Sequence, residues 1–267
     1  MPRAPPGSPL AGSGEPRTHG TTTLDTVKEV KSWNELSVAA EKRMLAVLVM
    51  FAYWLYWPLS RVTARLEPHH PETWIDRAAP LIPEAIFVYG LVWTAGALPL
   101  TLPTTRPLMR RIAGAYFVVI AVAFVVFVTY PVHMGLRPVA PPVTSLATWG
   151  VAMAYAYDEP SNCLPSLHVA VAVLSGLCAW SADRRVGLGG MCVAAAIAGS
   201  TLLVKQHYLI DVIAGAGLAA GAWWFVVRPL GDVRLPSDRR GPAGMIGVQL
   251  LLFAAAAVAH AAGVRPP

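Results

Sequence analysis

Seven apolar stretches run along the chain, and loop segments of differing length separate each stretch from the next. A helix of about 20 apolar residues crosses roughly 30 Å of hydrocarbon while pairing all of its backbone polar groups internally. The stretches cover residues 44–60, 80–102, 112–132, 165–182, 186–204, 208–227 and 243–263. This pattern predicts an all-α fold, a polytopic membrane helical bundle, in which the first and fourth stretches are close to the lower length limit.

Two polar regions lie outside the predicted bundle. Residues 1–23 are rich in Pro, Gly, Ser and Thr, which is typical of a disordered cytoplasmic arm. Residues 24–43 carry apolar side chains at three-residue steps, which favours either an amphipathic interfacial helix or an ordinary linker helix. Residues 44–228 then form a membrane-embedded domain, and residues 229–267 form a cytoplasmic loop and an extra C-terminal transmembrane helix.

Composition and charge support a membrane protein and predict its orientation. The chain is 55% hydrophobic and only 13% charged, with a mean hydropathy of +0.51. Fifteen of its 21 Lys and Arg residues fall in the N-terminal arm and the even-numbered loops, so these segments are expected to be cytoplasmic. This asymmetry accounts for the net charge of +6, and no nucleic-acid partner is expected.

The sequence LPSLHVA, residues 164–170, places polar groups at the start of the fourth stretch. Pro165 suits the first position of a helix, where its missing N–H group costs nothing. The free amides of that first turn and the Ser166 hydroxyl form a candidate phosphate site, because a helix N-terminus attracts anions. His168 belongs to the same turn, although a lone histidine there is more often a packing residue.

A second histidine comes from KQHYLID, residues 205–211. His207 and Asp211 are four residues apart, so on a helix they share a face and the carboxylate can orient the imidazole. The order of the stretches brings this motif to the same extracytoplasmic side as His168. Arg137, the one cation of the third loop, is expected on that side too, and Lys205 lies two residues before His207.

Two imidazoles, a carboxylate, two cations and a helix N-terminus suit phosphoryl transfer through a covalent intermediate. In this hypothesis His207 attacks phosphorus, His168 protonates the leaving oxygen and then activates the acceptor, and Asp211 orients His207. The nonbridging oxygens are bound by Arg137, Ser166 and Lys205. The reaction needs no metal ion or cofactor, and residues 44–228 become the catalytic domain.

The two motifs resemble those of a known family. PSLH at 165–168 and HYLID at 207–211 are similar to the second and third motifs of the type 2 phosphatidic acid phosphatase superfamily. The longer segments NCLPSLHVA and STLLVKQHYLID resemble most its inositol phosphorylceramide synthase-like branch. The resemblance covers about residues 80–228. It implies a six-helix core, to which the seventh stretch is an addition, and a lipid phosphate substrate.

The chain departs from the family pattern at two positions. The third motif normally has Ser-Arg where this chain has Ser200 and Thr201, and Lys205 is a candidate replacement for that cation. The first motif survives only as Arg137 and Pro138, with Tyr130 at its lysine position. Fewer cations near the phosphate leave the head group of the substrate open.

Other functions remain open on the sequence alone. A proton-coupled transporter would use intramembrane Glu84, Asp211 and His260, and a metal-dependent hydrolase would use His168, His207 and Asp211 as ligands. Within the enzyme hypothesis, water as acceptor gives a phosphatase, and a lipid or sugar hydroxyl gives a phosphotransferase. No phosphate-cradling glycine loop occurs, so nucleotide chemistry has no support.

Overall fold

A computed structural model describes residues 36–138, 142–231 and 240–266. The predicted arm at 1–23 and most of the predicted interfacial helix at 24–43 lie outside these ranges. Residues 38–43 are described, and they belong to the first long helix rather than to a separate one. The described residues from Ser37 onward form one compact unit.

The described residues are helical and contain no strand, which confirms the all-α bundle. The α-helices are α1 (Val38–Trp54), α2 (Tyr56–Thr63), α3 (Trp74–Ala78), α4 (Ala85–Tyr89), α5 (Val92–Ala95), α6 (Arg106–Thr129), α7 (Leu146–Tyr157), α8 (Leu167–Ala182), α9 (Arg184–Leu203), α10 (Leu209–Ala222) and α11 (Arg240–Ala261). Short 3₁₀ or π turns at Leu98–Thr101, Trp223–Val227 and Arg228–Leu230 continue the helices beside them.

Five helical segments of the described chain are long and apolar enough to cross a membrane. They are Val38–Thr63, Arg106–Thr129, Arg184–Leu203, Leu209–Leu230 and Arg240–Ala261. The second and fourth predicted stretches contain only the shorter apolar helices Ala85–Ala95 and Leu167–Ala182. The first stretch, expected to be short, belongs to a segment of 26 residues.

Proline and glycine account for the broken second stretch. Pro80 and Pro83 delay the start of α4 until Ala85, since proline cannot donate a backbone hydrogen bond. Gly90 and Gly96 then follow α4 and α5, and Pro99 lies in the 3₁₀ turn. A continuous apolar run is therefore divided into three short helical pieces.

Helix α8 lies at the centre of the core. Most of its residues are buried, and they pack against α6, α9 and α10. Its buried side chains include Leu174 and Cys178, which belong to one hydrophobic cluster with Val119, Phe127 and Ile197. By contrast, the outer faces of α6 and α11 expose large apolar side chains, as expected of surfaces that contact lipid.

A buried ion cluster joins α1 to α6. The Glu41 side chain is fully buried, and its two oxygens accept hydrogen bonds from Arg106 at 2.6 Å and Arg110 at 2.5 Å. A buried carboxylate requires such charged partners, because burial removes its hydration. The added helix α11 is attached differently, through a hydrogen bond from Thr94 to Gln249 and one from the Trp149 ring to the Val264 carbonyl.

The N-terminal end of α8 closely approaches the middle of α10 at Gly215. A Cβ atom at this position would lie 2.4 Å from the Ser166 carbonyl oxygen, which is shorter than any normal contact. The absence of a side chain at residue 215 is therefore a condition for the observed spacing of the two helices.

We expect Gly215→Ala to lower the free energy of unfolding by about 1–3 kcal/mol, because overpacking forces the backbone apart. Gly217→Ala is the matched control, since position 217 of the same helix faces open space and alanine favours helix by up to about 1 kcal/mol. Thermal unfolding of both variants in detergent checks this. Equal melting temperatures for the two variants would contradict it.

Candidate active site

The two sequence motifs meet at the adjoining ends of α8 and α10. The backbone N–H of Ser166 donates to the carbonyl oxygen of Asp211 at 3.0 Å, which links the two N-terminal turns directly. Ser166 is the N-cap of α8, and its hydroxyl oxygen accepts from the Val169 amide. Pro165 therefore lies just before the cap. The sequence had suggested the first helical position for it, and that prediction is wrong.

His168 and His207 face each other across this junction. Nδ1 of His168 lies 3.2 Å from Nε2 of His207, and both rings are buried. His168 belongs to the first turn of α8, whereas His207 precedes α10 in the connection from α9. The structure thus brings together the two imidazoles that the sequence proposed as a pair.

Asp211 lies at the other nitrogen of the His207 ring. One of its oxygens, Oδ2, is 3.6 Å from His207 Nδ1, which is an ion-pair distance rather than a hydrogen bond. The same oxygen accepts from the Tyr208 amide at 2.8 Å, so Asp211 also caps α10. The prediction that His207 and Asp211 share a helical face is wrong, because His207 lies before α10. The two side chains are nevertheless close to each other, as predicted.

Tyr89 and Asp158 extend this arrangement, and the sequence analysis missed both. The Tyr89 hydroxyl lies 2.7 Å from Nε2 of His168 and also beside the Asp158 carboxylate. Asp158 accepts a further hydrogen bond from Tyr56 at 2.8 Å. Burial raises the pKa of Asp158, while the Tyr56 hydrogen bond and the Arg137 charge oppose the shift. The sequence signal for Asp158 was its position as an acidic residue directly after the apolar segment 146–157.

Arg137 reaches the site through Gln206. Its guanidinium donates to the Asp158 carbonyl at 2.7 Å and to the Gln206 side-chain oxygen, and it lies 4.6 Å from the centre of the Tyr155 ring. The remaining donors, Nε of Arg137 and Nε2 of Gln206, are buried and have no hydrogen-bond partner among the described residues. Two buried N–H groups thus remain unused on Arg137 and on Gln206, the residue before His207.

Lys205 is directed to a different part of the chain. Its buried ammonium group donates to the carbonyl oxygens of Asp76 at 2.7 Å and Ala79 at 2.5 Å. Burial lowers the pKa of Lys205, and the nearby Asp76 opposes that shift. Of the three predicted phosphate-binding residues, Ser166 therefore lies at the junction with the histidines and Arg137 contacts Gln206, whereas the Lys205 ammonium contacts the C-terminal end of α3.

A cavity of about 280 Å³ opens onto His168 and Asp158. It lies between α1, α2, α4 and α7, and most of its wall is aromatic. The lining includes Tyr53, Tyr56, Trp57, Tyr89, Trp93 and Trp149. An apolar cavity that ends at a few convergent polar groups is typical of a ligand site.

The metal-ligand set proposed from the sequence does not converge. His168 and Asp211 lie at opposite nitrogens of the His207 ring, so one ion cannot contact all three side chains. A different set does converge, because ligand atoms of Cys163, His207 and Asp211 lie within 4.8 Å of one another. Burial and the Asp211 charge raise the pKa of Cys163 well above its ordinary value, so its thiol is protonated.

The residues that the transporter alternative named are dispersed. Glu84 is exposed just before α4, and the His260 ring packs against the edge of Trp149. Asp211 is fully buried at the start of α10, next to His207.

A comparison with known protein families matches part of the chain. Residues 112–233 match the family model of the PAP2 superfamily. This match supports the resemblance to that superfamily and a phosphoesterase-type enzyme. No curated protein and no solved structure gives a significant match.

The PAP2 match includes both histidines, Arg137 and Asp158, whereas Tyr89 lies before it. Position 201, an arginine in the PAP2 motif named above, is a fully buried threonine here. The carbonyl oxygen of Thr201 accepts from the backbone N–H groups of Gln206 at 2.9 Å and His207 at 3.3 Å. This position therefore holds the turn that carries His207 instead of supplying a cation.

We expect Lys205→Met to lower the free energy of unfolding by about 1–3 kcal/mol, because two buried carbonyl groups lose a charged donor. Arg65→Met is the control, since Arg65 is an exposed cation whose loss is expected to change stability by less than about 0.5 kcal/mol. Thermal unfolding in detergent measures both changes. A Lys205 variant as stable as the Arg65 variant would contradict this role.

Proposed function

We propose that the protein is an integral membrane enzyme that removes or transfers the phosphoryl group of a lipid phosphate through a phosphohistidine on His207. The observation that carries this proposal is the contact of His168 Nδ1 with His207 Nε2 at 3.2 Å, with Asp211 at the opposite side of His207. This contact supports His207 as the nucleophile and His168 as the proton donor.

The arrangement suggests where the protons lie. Asp211 favours a proton on Nδ1 of His207, which leaves the Nε2 lone pair free to attack phosphorus. Tyr89 and Asp158 favour a proton on Nε2 of His168. The proton that the leaving oxygen needs is a second proton, on Nδ1 of His168, so the reactive form of this ring is the imidazolium. It takes that proton from solvent as the phosphate binds, and the negative charge of the phosphate stabilises it. The rings must separate to admit the phosphate group.

The reaction proceeds in two steps. His207 Nε2 forms a bond to phosphorus while the bond to the lipid oxygen breaks and that oxygen takes the proton from His168 Nδ1. An acceptor oxygen then returns a proton to His168 and displaces the phosphoryl group from His207. Water as acceptor releases inorganic phosphate, which is the reaction of a phosphatase.

Unused donors support the binding of a phosphate at this position. Nε of Arg137 and Nε2 of Gln206 are buried without partners, and an anion would satisfy them. Ser166 keeps its hydroxyl hydrogen available while its oxygen caps α8. The adjoining N-terminal ends of α8 and α10 add their positive dipole ends. Lys205 contributes as a cation of the same connection if its carbonyl contacts rearrange.

The surroundings favour a lipid as the phosphate carrier. The aromatic cavity offers an apolar wall leading to His168, and the long helices of the described chain are suited to a bilayer. Together with the distribution of Lys and Arg, this supports an active site at the extracytoplasmic face of the cell membrane, with the N-terminus in the cytoplasm.

Phosphotransfer is the alternative within the same mechanism. A lipid or sugar hydroxyl in place of water would give a phosphotransferase, and the resemblance to the inositol phosphorylceramide synthase-like branch favours a head-group transfer of that kind. The acceptor decides between the two reactions, since His168 would activate either one.

A panel of lipid phosphates, offered to the purified protein in a chelator, tests the reaction. We expect inorganic phosphate, transferred lipid products, or both. We expect His207→Ala to abolish both outputs because the nucleophile is lost. His168→Ala should slow them about 10²–10⁴-fold, because only the general acid is lost. Labelled phosphate should remain on the protein after an alkaline quench.

The two variants serve as controls for each other. His207→Ala should carry no label, whereas a labelled His168→Ala would show that attack occurs but that the later steps are slow. Full activity of the His207 variant would refute the proposed mechanism. Loss of wild-type activity in chelator would refute its metal independence.

Tyr89→Phe tests the link from His168 to Asp158. Removing one buried hydrogen bond to the proton donor is expected to lower kcat about tenfold to a hundredfold, with little change in KM. Ser175→Ala is the matched control, because it removes a buried hydroxyl of the same helix α8 that donates to the Ala95 carbonyl at 2.5 Å. Comparable values of kcat for the two variants would contradict a specific role for Tyr89.

A further inference from the structure

We propose that Cys163, His207 and Asp211 form an inhibitory binding site for a thiophilic divalent cation, with Zn²⁺ as the fitting ion. The binding of the ion stands on the geometry alone, whereas its inhibitory effect rests on the proposed function. The site is distinct from the metal-hydrolase alternative, because the ion here blocks the nucleophile instead of activating water.

The three ligand atoms already lie near the spacing that zinc requires. They are within 4.8 Å of one another, and zinc bonds of about 2.0–2.3 Å place tetrahedral ligands roughly 3.5 Å apart. Closing the cluster by about 1 Å is within reach of side-chain rotation. The Cys163 thiol also lies 3.8 Å from the Gln206 carbonyl oxygen. Either this oxygen or a water molecule is a candidate for the fourth ligand.

Two atoms of the cluster are without partners. Nδ1 of His207 and Oδ1 of Asp211 are buried and make no hydrogen bond within the described part of the chain. Both residues are at least nine-tenths buried, and so is Cys163. Unsatisfied buried ligand atoms of this kind are unusual, and a cation would satisfy both.

The charges of the cluster match a divalent ion. A thiolate and a carboxylate together cancel the charge of Zn²⁺, so the buried ion carries no uncompensated charge. The combination of sulfur, nitrogen and oxygen ligands suits zinc, whereas Mg²⁺ prefers oxygen ligands alone. The ion would reach the cluster by the route that a phosphate must take to His207.

Binding at Nδ1 removes the nucleophile. The Cys163 thiol loses its proton to solvent when the sulfur–zinc bond forms. On His207 the proton moves from Nδ1 to Nε2 when Nδ1 donates its lone pair to the ion. Nε2 then has no lone pair with which to attack phosphorus, and Asp211 coordinates the ion instead of orienting the ring.

The inhibitory effect is tested by zinc titration of lipid phosphate hydrolysis, with Mg²⁺ as the control ion. We expect Zn²⁺ to stop phosphate release, a chelator to restore it, and Mg²⁺ to have no such effect. Each variant is compared with its own rate in chelator. Cys163→Ala should need at least tenfold more Zn²⁺ for half-inhibition, whereas Cys178→Ala and Cys192→Ala should respond as the wild type does.

Direct binding is tested with Co²⁺ as a spectroscopic substitute for zinc. We expect a near-ultraviolet cobalt–thiolate absorption in the wild-type protein that Zn²⁺ abolishes by displacement. Cys178→Ala and Cys192→Ala should retain this absorption, and Cys163→Ala and His207→Ala should lose it. Because His207→Ala keeps all three thiols, the test does not depend on whether the Cys163 variant folds.

The outcomes separate this site from the proposed function. Absence of the absorption in the wild type, or its retention in His207→Ala, overturns the site even if lipid phosphates are hydrolysed. Inhibition of Cys163→Ala at the wild-type zinc concentration overturns it too. The absorption without any activity on lipid phosphates would support the ion site and reject the proposed function.

Discussion

The hydrogen bond from the Ser166 amide to the Asp211 carbonyl is the interaction on which the site depends. It ties together the first turns of two helices that are separated by a third along the chain. Gly215 permits this approach, because any side chain there would collide with Ser166. The facing positions of His168 and His207 follow from that contact, since each histidine lies within a few residues of it.

Burial strengthens the interactions within this site. The two imidazoles, Asp211 and Ser166 are all nearly inaccessible, so their interactions are not weakened by water as surface contacts are. The same burial makes unpaired donors and acceptors costly, and several remain around His207. The unused N–H groups of Arg137 and Gln206 support the proposed phosphate site, and Nδ1 of His207 and Oδ1 of Asp211 support the proposed cation site.

Much of the fold could be predicted from hydrophobic patterning, because each apolar stretch contains helix in the structure. There are two exceptions: prolines and glycines divide the second stretch, and helix α7 forms between the third and fourth stretches, where only a loop was predicted. The pairing of His168 with His207 was predictable from the order of the stretches. Tyr89 and Asp158 were not, since their contact with His168 depends on how short helices pack, and no spacing encodes it.

The environment of Lys205 shows most clearly why charge alone does not identify a ligand. From the sequence it was the natural substitute for the arginine missing at position 201, yet its ammonium is satisfied by two backbone carbonyl groups near α3. Arg137, which comes from another loop, is hydrogen-bonded to Gln206, the residue before His207. The carbonyl of Thr201 meanwhile fixes the backbone of Gln206 and His207. The position that is an arginine in the PAP2 motif thus holds the backbone of the turn before α10 here, through its carbonyl oxygen.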